Sequence, residues 1–132
     1  KSNAIGGRMF NDNLPLVAGA TFDFELTWET KDETNVLKPV QLMGCTAEFE
    51  VRKSGDDTLL VRCTTEDGNI TVPEPETGQV FIHIPPDKTA NQLPENWRDA
   101  IWEVVVTFPS LDKYSIAWGS ASLRRKVVHS NV

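Results

Sequence analysis

Residues 20 to 28, ATFDFELTW, alternate without a slip: Ala20, Phe22, Phe24, Leu26 and Trp28 fall on one face, and Thr21, Asp23, Glu25 and Thr27 on the other. A period of two is that of a pleated strand with one face buried, and a helix cannot accommodate it. The pattern returns along the chain. In TAEFEVRK (46–53), Ala47, Phe49 and Val51 alternate with Glu48, Glu50 and Arg52; in TLLVRCTT (58–65), Leu59, Val61 and Cys63 form the inner set; in QVFIHI (79–84), Val80, Ile82 and Ile84 do. AIWEVVVTF (100–108) puts Ala100, Trp102, Val104, Val106 and Phe108 on one side and Ile101, Val105 and Thr107 on the other, as a central strand covered on both faces would. YSIAWGSASLRRKVV (114–128) reads as a final long strand with Tyr114, Ile116 and Trp118 in phase, and Gly119 marks a bulge or a close backbone approach.

Turn chemistry separates these runs. SGDD closes a hairpin between 46–53 and 58–65, and Asp67-Gly68 predicts a type I′ turn before the short strand NITV. PEPETG is a rigid acidic loop; PPDKTANQLP, with Pro86 and Asp87 at its start and Pro94 at its end, predicts one short helical turn. ETKDETNVLKP (29–39) reads as a loop with at most a short pairing around Val36-Leu37. Leu14-Pro15-Leu16-Val17 is an edge strand at most, because Pro15 has no N–H for a ladder. About seven or eight short strands, regular turns and no long helix predict an all-β, single-domain, antiparallel immunoglobulin-like β-sandwich, with a β-barrel as the alternative. The expected boundaries are an N-terminal arm over 1–13, a sandwich over 14–128 and a tail over 129–132.

The chain has 132 residues and a net charge of −6, enough length to bury a core without metal or disulfide staples. Acidic residues concentrate in turns: Asp56, Asp57, Glu66, Asp67, Glu74, Glu76, Asp87, Glu95 and Asp99, against Arg62, Lys88 and Arg98 in the same stretch. A body so charged repels phosphate backbones, so nucleic acid is not an expected partner. The C-terminal end is basic, with Arg124, Arg125 and Lys126, and reads either as a solvated end or as a contact for an acidic partner or for a neighbouring copy's acidic loops. No run approaches the ~20 apolar residues of a membrane helix, and no signal peptide is visible. Of the two cysteines, Cys63 is in phase with core residues and Cys45 precedes a strand; whether they bond is open.

Reactive chemistry is sparse. His83 lies between Ile82 and Ile84 on the polar side of its strand, and His129 sits near the C-terminus. No serine occupies a nucleophile-elbow motif, no His/Cys spacing suits zinc, no calcium loop pattern appears, and no glycine-rich loop leads into a helix. The paired turn carboxylates read as loop-solvating groups. We therefore expect no enzyme activity, no metal and no cofactor. Trp28, Trp102 and Trp118 follow apolar faces and read as core, whereas Trp97, in the loop PENWRDA beside Arg98, either plugs an end of the sandwich or meets a partner. Trp97, Arg98, Arg124, Arg125 and Lys126 are the candidate partner-binding residues.

The order of the segments carries a resemblance. A GATF strand opens (19–22); Leu42-Met43-Gly44-Cys45-Thr46-Ala47 leads to Val51-Arg52; Thr65 to Thr71 reads as a T-x-x-G-x-I-T hairpin; then come TGQV, a TANQL turn and a last strand with central Gly119. Over about residues 18 to 127 the chain resembles a family of small virion proteins of tailed bacteriophages, and is similar to the N-terminal attachment domain of phage upper-baseplate proteins. It departs from that pattern at Met43, where threonine is usual, and at AIWEVV (100–105), where a Tyr-Asp-Leu-Glu-like run is common. The resemblance implies a structural, assembly role in a phage particle (tail, baseplate or head–tail region) through contacts with other virion proteins and copies of itself. It implies location in the virion after assembly in the host cytoplasm. The alternatives are a carbohydrate-binding module of a phage adhesion device, with an exposed aromatic as its platform, and a capsid-decorating protein.

Overall fold

A computed structural model describes residues 13–128. The fold is all-β: ten strands and three short 3-10 turns, with no α-helix among the described residues. The strands are β1 (Leu14–Val17), β2 (Phe22–Thr27), β3 (Glu29–Lys31), β4 (Leu37–Pro39), β5 (Thr46–Lys53), β6 (Leu59–Thr64), β7 (Ile70–Thr71), β8 (Gln79–Ile84), β9 (Ala100–Thr107) and β10 (Lys113–Arg124). Three sheets form: five strands in the order β1-β10-β9-β5-β6, three in the order β2-β8-β7, and the ribbon β3-β4. The two larger sheets bury their apolar sets against each other. Phe24 of β2 meets Phe49 of β5 at 5.5 Å and Trp102 of β9 at 5.7 Å between ring centroids, both edge to face. Phe49, Val51, Val80, Ile84 and Val104 are fully enclosed between the layers. The order β2-β8-β7 over β1-β10-β9-β5-β6 is the strand arrangement of an immunoglobulin-type sandwich.

The alternation read from the sequence becomes the buried pattern of β5, β8 and β9. Five features differ. First, β1 pairs β10 in parallel, Leu14 to Ala121 through Val17 to Arg124, so the sandwich is not wholly antiparallel; β1 is nonetheless the edge strand that Pro15 requires. Second, Asp67 and Gly68 do not form a type I′ turn, because of the two only Gly68 has positive φ. A Thr65–Gly68 turn forms instead, and the Asp67 carboxylate accepts the N–H groups of Thr64 and Asn69. This segment carries the chain from one sheet to the other, since β6 and β7 are not paired, so it is not a hairpin. Third, three 3-10 turns replace the single helical one: Pro75–Thr77, Pro86–Lys88 and Pro94–Trp97. Each opens on proline, whose fixed φ suits a helical first position, and each is too short to continue. Fourth, β9 is covered on one face only; Ile101 is 49% exposed on the other.

The fifth difference shapes the surface. The register of β10 against β9 shifts between Ser115 and Ala117, so the bulge lies at Ile116 and not at Gly119. One extra residue reverses the phase of everything after it. Ala117, Gly119, Ala121 and Leu123 turn inward, and Trp118 turns out to solvent. The final strand ends at Arg124, short of the expected 128.

Gly78 fastens the opposite end of the sandwich. It caps the Pro75–Thr77 turn at φ 72°. Its carbonyl accepts the N–H of Trp28, and the Trp28 carbonyl accepts the N–H of Val40. A Cβ at this position would lie 2.5 Å from the Trp28 carbonyl oxygen. Nearby, the rings of Trp28, Phe108 and Tyr114 pack at 5.6–5.8 Å.

Candidate interaction surface

The outer face of the five-stranded sheet is laid out by register. Across it, Trp118 of β10 lies opposite Glu103 of β9, and Glu103 opposite Glu50 of β5, which in turn faces Arg62 of β6. One row toward the end where β10 finishes, Ser120, Ile101 and Arg52 stand side by side. Trp118 is 58% exposed, the most open aromatic side chain among the described residues.

Charge on this face is uneven. Arg52 Nε donates to Glu50 Oε1 at 2.7 Å, Arg62 Nη1 donates to Glu50 Oε2, and Arg62 Nη2 donates to Glu48 at 3.1 Å. Partial burial pushes the Glu50 carboxyl up, but the two guanidiniums more than offset it and hold it below the ordinary carboxylate range. The Glu48 and Glu50 carboxylates raise Arg62 in return. Glu103, between Glu50 and Trp118, is exposed and makes no salt bridge among the described residues.

The residues singled out from the sequence fall at one end of this sheet. Trp97 is buried at 2% exposure, and its indole N–H donates to Gln92 Oε1 at 3.0 Å. The structure therefore gives it the plug role; its ring is not a contact surface. The Gln92 amide in turn donates to the Leu60 and Lys88 carbonyls, which locks the loop. Arg98 is exposed and shares with Trp97, Ser122 and Leu123 an open depression of about 450 Å³. Arg124, Arg125 and Lys126 are exposed just beyond it, and Arg124 Nη1 donates to the Arg125 carbonyl. The Asp56-Asp57 loop stands at this same end, where Ser54 N–H donates to the Asp99 carbonyl. Glu74 precedes the Pro75–Thr77 turn and Glu76 lies within it, beside Gly78 at the other end. The arm up to residue 12 and the tail over 129–132, with His129, lie outside the described residues; Asn13 bonds Ser120 and Ser122 of β10.

Trp118 is the residue sequence reasoning misplaced. The signal was present: Ala117, Gly119, Ala121 and Leu123 are the small and apolar alternates, and Trp118, Ser120, Ser122 and Arg124 the polar ones. Continuing the phase of Tyr114 and Ile116 hid it.

His83 sits where expected, on the outer face of β8, with Nδ1 2.6 Å from Asp23 Oδ1 of β2. The pair borders a shallow groove of about 430 Å³ with Glu25, Asn69 and Phe81. Both side chains are more than half exposed, so water screens the pair. Among the described residues no group of three or more His, Cys, Asp or Glu could hold a metal ion. Cys45 and Cys63 are free thiols; burial pushes Cys63 up to about 11 and raises Cys45, so neither is activated. Among the described residues no helix is long and apolar enough to cross a membrane. No protein-family model matches the chain, and no curated protein matches it.

Proposed function

We propose that this protein is a structural, protein-binding module of a bacteriophage particle, acting in the tail, baseplate or head–tail region. The observation that carries the reading is the outer face of the five-stranded sheet. A rigid ladder there presents Trp118 and Ile101 beside a band of charge, the composition of an interaction patch rather than a reaction site. The order of segments that resembles phage virion proteins supplies the setting. Virion contacts need only modest complementary area repeated over many subunits, because avidity multiplies weak pairs. The test is mass in solution by light scattering, with the protein alone and mixed with purified tail, baseplate and head–tail proteins. A complex of fixed stoichiometry weakened by Trp118→Ala supports the role, and no complex with any of them refutes it.

A second reading is favoured by one observation. A carbohydrate-binding module needs a flat exposed aromatic, and Trp118 provides one among the hydroxyls of Ser120 and Ser122. A glycan array with Trp118→Ala as control separates the two, since a virion assembly contact predicts no sugar binding.

A further inference from the structure

The two larger sheets end on four edge strands, β1, β6, β2 and β7, and three of these are closed by their own chemistry. On β1, Pro15 has no N–H, and the Val17 carbonyl accepts the Ala20 N–H and the Thr89 hydroxyl. On β6, the Leu60 carbonyl accepts the Gln92 amide, and the Thr64 N–H donates to the Asp67 carboxylate. β7 is two residues long. β2 is six residues long, and two bonds fix which of its groups are free. Trp28 N–H donates to the Gly78 carbonyl, so the even-numbered residues of β2 face β8 with their main-chain groups. His83 N–H donates to the Asn69 carbonyl, away from β2, which sets the same phase from the other side. The N–H and C=O groups of Asp23, Glu25 and Thr27 therefore point out of the sheet edge, and none of them bonds another main-chain group among the described residues.

The side chains indicate what pairs there. Asp23 and Glu25 are exposed on the outer face, and among the described residues neither forms a salt bridge with a lysine or arginine. On the inner face Phe22 and Phe24 pack against the core yet stay half-buried at this edge. A second β2 would bring the Asp23 and Glu25 carboxylates of two copies together, which like-charge repulsion disfavours. We propose that the free edge of β2 is a strand-addition site for an extended segment of another protein, one that alternates basic and apolar residues. The main-chain groups of Asp23, Glu25 and Thr27 continue the ladder into that segment. Its basic side chains lie beside Asp23 and Glu25, and its apolar ones cover Phe22 and Phe24. The site lies on the three-stranded sheet, apart from the Trp118 face, and does not depend on the phage reading.

The test is nuclear magnetic resonance of the isotope-labelled full chain with a synthetic, end-blocked octapeptide that alternates lysine and valine. In the free protein the amides of Asp23, Glu25 and Thr27 exchange with solvent much faster than those of Phe24 and Leu26. Saturating peptide slows them by about 10-fold and shifts their resonances, and the affinity falls as salt rises. A peptide with four lysines followed by four valines binds at least about 10-fold more weakly, because one strand face no longer carries all the charge. Asp23→Lys with Glu25→Lys weakens the lysine peptide by about 10-fold and transfers binding to an alternating glutamate–valine peptide. Glu25→Pro removes an outward N–H without touching a β8 bond, and it also weakens binding by about 10-fold; the charge reversals test the site even where this variant fails to fold. The inference is overturned if the alternating peptide does not bind, if its shifts fall on β6 or on the Trp118 face, or if the block peptide binds equally well. Indifference to the charge reversals overturns it too. So does slow exchange of the Asp23, Glu25 and Thr27 amides in the free protein, which would mean that residues 1–12 or a second copy already cover the edge.

Discussion

Replacing Gly78 by alanine tests the tightest backbone crossing in the sandwich. Two costs add. An L-residue at φ 72° costs about 1–2 kcal/mol relative to glycine. The new Cβ would also stand 2.5 Å from the Trp28 carbonyl oxygen and 3.2 Å from the Val40 nitrogen, both main-chain atoms with no flexible end to swing away. Relief requires the β2–β3 junction to move, which strains the Trp28-to-Gly78 and Val40-to-Trp28 hydrogen bonds, each with a net value of about 1 kcal/mol. The expected loss is about 3–4 kcal/mol, a large share of the roughly 5–15 kcal/mol that holds a domain of this kind. Gly68→Ala is the matched control: φ is 85°, and nothing lies within 4 Å of the added carbon, so only the conformational cost of about 1–2 kcal/mol applies. Urea unfolding followed by tryptophan fluorescence measures both. If the two variants differ by less than about 1 kcal/mol, the close approach is not there and the reasoning fails.

Trp118→Ser changes stability by less than about 0.5 kcal/mol, as an exposed site should; a loss of about 3–5 kcal/mol would return Trp118 to the core and refute the bulge at Ile116. Trp102→Ala, by contrast, costs about 3–5 kcal/mol in the same unfolding assay, since its ring is 1% exposed against Phe24 and Phe49. Glu50→Gln costs about 0.5–1 kcal/mol at neutral pH, a modest figure because the pair is partly exposed. As the Glu50 carboxyl is lowered in the folded state, its contribution is present above the ordinary carboxylate range and is lost as pH falls through the depressed value; thermal melts against pH show that loss in the unaltered protein and not in the variant. Cys63, raised to about 11, resists a thiol reagent near pH 8 until the protein unfolds; its thiol also makes the fold less stable as pH rises from the ordinary thiol value toward 11. Rapid native labelling of Cys63 would show an open core.

The strands were legible because alternation survives in a single sequence. Phe49, Val51, Val80 and Ile82 declare their face without reference to any neighbour. What failed depends on partners. A bulge is defined by the strand opposite, so Ile116 does not announce it, and the local alternation places Trp118 on the wrong face. The parallel pairing of β1 with β10 joins residues over a hundred positions apart, and no local pattern encodes it. Asp67-Gly68 marks the place of a turn but not its type, because an aspartate carboxylate that bonds two backbone N–H groups can hold a turn without positive φ of its own. The candidate site was half readable. Arg124 to Lys126 stood out by charge, whereas the adjacency of Glu103, Glu50 and Trp118 exists only once three strands are set in register.

The parallel alignment of β1 and β10 has a mechanical consequence. Among the described residues these strands carry the first and last strand pairings of the sandwich, and they lie side by side running the same way. A pull applied between the two ends of the domain therefore drags β1 backward along β10, loading the bonds of that ladder together rather than peeling them one at a time. Rupture under such shear is governed by the barrier to unfolding rather than by equilibrium stability. The domain can thus resist tension along its length better than its modest size suggests, with the four residue pairs from Leu14–Ala121 to Val17–Arg124 as its clamp.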